Sequence, residues 1–292
     1  MGKFEVTLNS VLDTDAKFQG ICQAVESAML ASGFLEVAPD TGQLNLATVT
    51  RPVANAMAGY RMYRAKDSIA ATKPYYIKIE YGVATGADKI YIKKTIGTGS
   101  NGSGTITGVT PGAAATLIQA SIPGTAGTLI LGGGEAHSSW VMIYDASGNF
   151  HQALYAVGRL IDQIDGSVVS AESLLWELSQ PTGNSPASTF YYSDGTVAWT
   201  TDSIGAITPN VFSGVHNGGD MTTKRLYQSL VYRFAKTFVF PWLSGKAGEL
   251  PFSTAEASKF TLNVWGASHT FVPLPMYAVN TGGQKLAMLW DA

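Results

Sequence analysis

Residues 88–108 read DKIYIKKTIGTGSNGSGTITG, and Gly97 to Gly102 within them match G-x-G-x-x-G, the signature of a dinucleotide-binding turn. That chemistry needs a helix starting at the third glycine, so that free backbone N–H groups and the helix dipole face a pyrophosphate. The residues that follow forbid one. Ser103 and Gly104 favour turns, Thr105-Ile106-Thr107 is β-branched, and Gly108 and Pro111 would break a helix within two turns. The glycines therefore read as a flexible link between two strands, and no cofactor is expected.

Working outward, PYYIKIEYG (74–82) sets Tyr76, Lys78 and Glu80 against Tyr75, Ile77, Ile79 and Tyr81, and DKIYIKKTI repeats the alternation after a turn from Gly82 to Asp88. The two form a hairpin, with GTGSNGSG at the end of its second strand. Upstream, 41–73 reads as an irregular connection ending in the strand GYRMYR. Downstream, GTLILGG, SSWVMIYDASGNFHQALYAVG and TFYYSDGTVAW continue the β signal. In the second of these, turn residues 146–149 place Tyr144 opposite His151. In the third, Ser193-Asp194-Gly195 turns the chain between Tyr191-Tyr192 and Val197–Trp199. AESLLWELSQP fits a short helix stopped by Pro181 or a strand. RLYQSLVYRFAKTFVFPWL is apolar and interrupted by Pro241, and KFTLNVWGASHTFVPLPMYAV and QKLAMLWDA close the chain as strands.

One segment has helical period. In DTDAKFQGICQAVESAMLASG (13–33), Phe18, Ile21, Cys22, Val25 and Met29 form one apolar stripe. Asp13 is expected to cap the first turn, Asp15 suits its positive end, and Gly33 is placed to close the last. The fold class is therefore mainly β, a β-sandwich or related antiparallel sheets, with a short N-terminal α-helix. Residues 1–110 are expected to form a helix-plus-hairpin region for assembly or attachment and 111–292 a β-rich domain, the alternative being a single domain. No fixed-period repeat is present.

Of 292 residues, 14% are charged and 46% apolar, with 32 glycines. So few charges leave little to solvate a lone surface, which points to obligate assembly. Net charge −2 provides no field for nucleic acid or an anionic membrane, and no apolar run spans a bilayer. The single cysteine, Cys22, excludes an intrachain disulfide and a cysteine metal cage, and its place on the stripe makes it a buried hydrophobe.

Chemistry-bearing patterns are sparse. Asp13-Thr14-Asp15 spells D-x-D, but helix capping accounts for both carboxylates. His137, His151, His216 and His269 lack zinc-ligand spacing, and His216 with Asp220 reads as turn chemistry. G-x-S-x-G is absent, and Asp162/Asp165 and Glu172/Glu177 pair as acids only by proximity in sequence. No catalytic, cofactor or metal residue is assigned. Tyr191, Tyr192 and Trp199, flanking a turn, are the candidate interaction residues, for sugar stacking or burial in a neighbouring subunit.

ATVTRPVANAMAGYRMYRAKDSIAATKPYYIKIEYG, continuing into IKKTIGTGSNGSGTITG, resembles a group of structural proteins of tailed bacteriophages. The shared elements are the short N-terminal helix, the T-R-P link, the G-Y-R-x-Y-R and P-Y-Y-I-K-I-E-Y-G strands and the Gly/Ser/Asn-rich turn, together covering the first 110 residues or so. The resemblance implies a non-enzymatic virion component of the tail, baseplate, neck or fibre-attachment region, made in the host cytoplasm and present in several copies. Its partners would be copies of itself and other virion proteins. A host-receptor or glycan-binding module, and a polysaccharide hydrolase, are the alternative classes.

Overall fold

The structure, a computed structural model, describes residues 2–8, 12–83, 90–109, 116–120, 128–134, 137–145, 151–159, 161–162, 175–179, 189–193, 200–203, 227–233, 236–246, 259–264, 267–274 and 284–290. It is mainly β with one N-terminal helix, α1 (Asp15–Leu30). The first ten strands are β1 (Phe4–Leu8), β2 (Leu35–Val37), β3 (Ala56–Ala65), β4 (Tyr76–Val83), β5 (Ile90–Ser100), β6 (Ile106–Val109), β7 (Thr116–Ala120), β8 (Thr128–Gly133), β9 (Ser138–Asp145) and β10 (His151–Arg159). All described pairings are antiparallel.

Two sheets enclose the principal core. One runs β1-β8-β9-β10, so it joins residues on both sides of position 110, and extends through Leu175–Ser179, Thr189–Ser193 and Thr200–Ser203. The other runs β2-β3-β4-β5-β6, with β7 also on β5. A further sheet comprises Ile161–Asp162, Tyr227–Arg233, Lys236–Lys246, Phe260–Val264, Ala267–Leu274 and Gln284–Leu289. Leu175–Ser179 is thus a strand, deciding between the two readings of that segment. Pro241 lies within Lys236–Lys246, at the register shift between Gln228 and Leu230 of the partner strand, where a missing N–H is tolerated.

The hairpin β4–β5 forms as its alternation predicts, with Ile79 opposite Lys94 and Glu80 opposite Lys93. Gly82 and Val83 still pair within it, and 84–89 lie outside the described residues. Ile77, Ile79, Tyr81, Ile90, Ile92 and Ile96 face inward. Lys94, fixed by the same register, is only 1% exposed beside them. In β9–β10, Tyr144 stands opposite His151 as expected.

Helix α1 buries the predicted stripe, but it begins differently. Thr14, in extended conformation, accepts from the Lys17 amide at 3.3 Å and is the N-cap. Asp13 lies one residue too early to reach that amide and instead pairs with Lys17 Nζ at 2.8 Å. Asp15 does occupy the first turn, and Gly33 (φ +76°) closes the last through its N–H to Leu30 O at 3.0 Å. Ala24 and Ala28, absent from the stripe, are buried too, because the helix is covered on a second side by β8. There Gly132 approaches so closely that a Cβ would lie 2.6 Å from Ala28 Cα.

Three measurements check this core. Gly132→Ala should destabilise by about 1–3 kcal/mol, since the atoms in its way are helix backbone; an unchanged Tm would contradict the packing. Cys22 is fully buried, and burial pushes its thiol up, so native protein should resist thiol reagents that label the unfolded chain rapidly. Burial likewise raises the phenols of Tyr63, Tyr81 and Tyr155. Because only the unfolded chain releases these protons near the ordinary value of about 10, the associated stability is full below that pH and is lost as pH rises toward the folded values. Their phenolate absorbance should therefore appear together with unfolding; ionisation of all three in a folded protein would contradict it.

Candidate functional site

The glycine motif is the first candidate, and its geometry is that of a sealed turn. Gly97 and Gly99 are strand residues of β5 facing Val109 and Thr107, so the flexible link expected there is regular strand up to Ser100, and the chain reverses over 101–105. The strand persists because neither glycine needs a positive φ, whereas Gly102 (φ +79°) and Gly104 (φ +90°) in the turn do.

The four successive N–H groups of residues 102–105 are all taken by side-chain oxygens. Gly102 N donates to Ser100 Oγ at 3.1 Å, Ser103 N and Thr105 N to Asn101 Oδ1 at 2.9 and 3.0 Å, and Gly104 N to Asp40 Oδ2 at 3.1 Å. Ser100 Oγ also donates to Asp40 Oδ2. Thr41 N reaches Gly102 O at 2.9 Å, and the Tyr60 hydroxyl donates to Thr41 O. Asp40 Oδ2 thus takes both a turn amide and the Ser100 hydroxyl, and a carboxylate beside these amides disfavours a phosphate there. The turn fastens the 38–44 segment to the sheet.

Two ion pairs, one buried and one half-buried, form the second candidate. Arg159, at the end of β10, places Nε 2.9 Å from Asp67 Oδ2 and Nη2 3.0 Å from Asp67 Oδ1, and donates to Lys73 O at 2.7 Å. Arg159 and Asp67 side chains are 0% and 2% exposed. His137 Nδ1 stands 3.6 Å from Asp67 Oδ2, beyond hydrogen-bond range. At that distance the carboxylate does not hold His137 as the acid of a nucleophilic triad does. The pair instead bolts the end of β10 to the loop after β3.

Glu26 of α1 supplies the other pair. Its Oε1 accepts from Arg61 Nε at 2.9 Å, Arg61 Nη2 at 2.6 Å and the Tyr63 hydroxyl at 3.3 Å. Tyr63 and Tyr81 hydroxyls lie 3.4 Å apart. Arg61 and Tyr63 therefore face the helix, while Tyr60 and Arg64 lie on the other face of β3, where Lys78 Nζ sits 5.0 Å over the Tyr60 ring and Arg64 pairs with Glu36 at 2.7 Å. No local pattern announced these ties; a helix glutamate and a strand arginine 35 positions apart carry no shared motif.

Of the predicted interaction residues, Tyr191 and Tyr192 lie on Thr189–Ser193, next to the edge strand of the first sheet. Consecutive strand positions belong to opposite faces. The described return strand is Thr200–Ser203, with Thr200 opposite Tyr192, and Trp199 lies outside the described residues. Asp162 and Glu177 fall in different sheets, and Asp165, Glu172, His216 and Asp220 lie outside the described residues. Among the described residues no three His, Cys, Asp or Glu side chains converge as metal ligands, and no helix is long and apolar enough to cross a membrane. Comparisons with protein-family models and with curated proteins return no match.

Substitutions discriminate a structural turn from a binding site. Gly97→Ala should be the harsher of two changes, because its Cβ would meet the Thr107 carbonyl at 2.5 Å, while at Gly99 the obstacle is the rotatable Thr107 hydroxyl. Calorimetry should detect no NAD or ATP binding by the native protein; measurable affinity would overturn the sealed-turn reading. Asp67→Ala should cost about 3–5 kcal/mol by stranding the Arg159 charge, with much of that recovered in Asp67→Leu/Arg159→Met. A chemical denaturation series that shows no loss for the single change would contradict the bolt.

Proposed function

We propose that the chain is a non-enzymatic structural component of a tailed-phage virion, acting in the tail, baseplate, neck or fibre-attachment region through contacts between subunits. The observation that carries this reading is where the polar groups are spent. Asp40, Glu26 with Arg61, and Asp67 with Arg159 hold a turn to a sheet, a helix to a sheet and one sheet to the loop of another. In a chain with 14% charged residues, such use leaves ionic chemistry mainly for rigidity. The resemblance of the first 110 residues to phage structural proteins supports the same reading.

The described helix-and-sheet unit is then the rigid mount. Its exposed large hydrophobics are Val53 at 76% and Val109 at 39%, and isolated apolar residues of that kind do not make an association surface. Light scattering on the purified protein should give a homo-oligomer or, with tail proteins, a stable hetero-complex, and its peptides should be present in washed virions. A monodisperse monomer that is also absent from purified particles would remove the proposal; specific retention on a glycan array would replace it with the receptor-binding class.

A further inference from the structure

One peptide of the glycine motif is chemically labile, Asn101-Gly102. An asparagine followed by glycine closes on itself readily, because no Cβ on the second residue obstructs the approach of its amide nitrogen to the asparagine carboxamide. In that reaction the Gly102 amide gives up its proton to solvent base, its nitrogen bonds to Asn101 Cγ, and ammonia leaves. Water then opens the cyclic imide at either carbonyl, which yields aspartate or isoaspartate. Asn101 and Gly102 are both exposed, so base and water have access.

The folded turn keeps the reacting groups occupied. The new bond has to form in the peptide plane, along the direction of the Gly102 N–H. That direction is taken, since the N–H donates to Ser100 Oγ at 3.1 Å and Ser100 is oriented in turn by Asp40 Oδ2. The carboxamide is also fixed, its Oδ1 accepting from the Ser103 and Thr105 amides at 2.9 and 3.0 Å. Asn101 N donates to Thr105 O at 3.0 Å, and the Thr41 amide and hydroxyl reach Gly102 O at 2.9 and 3.3 Å. Thr41 is secured by the Tyr60 hydroxyl at its carbonyl. The imide can close only after the peptide between 101 and 102 turns and Gly102 N leaves Ser100.

We propose that Asn101-Gly102 is a latent modification site, kept intact while the 38–44 segment is docked on the turn and converted to isoaspartate when that clamp opens. Conversion is one-way. An isoaspartate adds a methylene to the main chain and a negative charge to a turn that already holds Asp40, so the bonds to Ser100 and Thr41 do not re-form in register. The pair thereby records local opening as a permanent covalent mark. This inference is independent of the assembly reading above.

The test follows isoaspartate at position 101 by peptide mapping of the full-length protein held in mildly alkaline buffer, beside the same chain in urea. The native protein should convert at least about tenfold more slowly than the unfolded chain. Ser100→Ala removes the acceptor of the Gly102 amide, and Tyr60→Phe loosens Thr41 without touching the reacting pair. Each should speed conversion by about three- to tenfold, the ratio set by one lost hydrogen bond. Asn217-Gly218, which lies outside the described residues, is the comparator, and its rate should be the same in the native protein and in both variants. Native conversion at Asn101 as fast as in urea, or variants that convert no faster than the native protein, would overturn the proposal. Equal acceleration at both Asn-Gly pairs in both variants would also overturn it, since the cause would then be general unfolding.

Discussion

Helix α1 can lie inside the core because β8 presents a glycine to it. At Gly132 the helix backbone at Ala28 approaches the strand so closely that no side chain fits between them, and Ala24 and Ala28 keep the helix surface low along that side. The opposite stripe of Phe18, Cys22, Val25 and Met29 is then free to pack in the same cluster as Ile77, Ile79 and Ile92 of the other sheet. One helix thereby serves both sheets, and a larger residue at Gly132 would have to separate them. Ser139 completes the seating, donating to Met29 O at 3.2 Å and lying 2.9 Å from the Tyr155 hydroxyl, so a carbonyl of the last helical turn is satisfied where water has no access.

The ionic ties follow from that packing. A helix held between sheets brings Glu26 to Arg61, and closure of the sheet ends brings Arg159 to Asp67. A buried pair such as Arg159–Asp67 adds little net stability over apolar replacements, yet losing one partner is severe, because the other charge is left without compensation. Arg159 also lies 5.9 Å from the Phe34 ring, which shields the guanidinium from water on that side.

Much of this was legible in local pattern. The period of 3.6 placed the helix and its stripe, the period of 2 placed β4 and β5 with their inward faces, and turn residues fixed Tyr144 opposite His151. What escaped is non-local. Ala24 and Ala28 look neutral until a strand covers them. Lys94 follows Lys93 on a segment that reads as half-polar, but the register of Ile90, Ile92 and Ile96 turns it inward. Leu175–Ser179 is too short for its period to distinguish helix from strand, and pairing with β10 decides it. The Arg159–Asp67 tie spans 92 positions and leaves no trace in either neighbourhood. The glycine motif was legible as no nucleotide loop from the turn and β-branched residues after it; the part that left no local trace is Asp40, which accepts from Gly104 N 64 positions away.

The central claim is that α1 is an integral member of a core built from both sheets. Native-state hydrogen exchange of the α1 amides tests it most directly. The account predicts that Ile21 to Met29 exchange only through the same global opening that releases the inner residues of β4, β5, β8 and β9, with one shared free energy and one denaturant dependence. Exchange of the helix at a lower free energy, while both sheets remain protected, would show that α1 rests on the sheets without organising them, and would contradict the account.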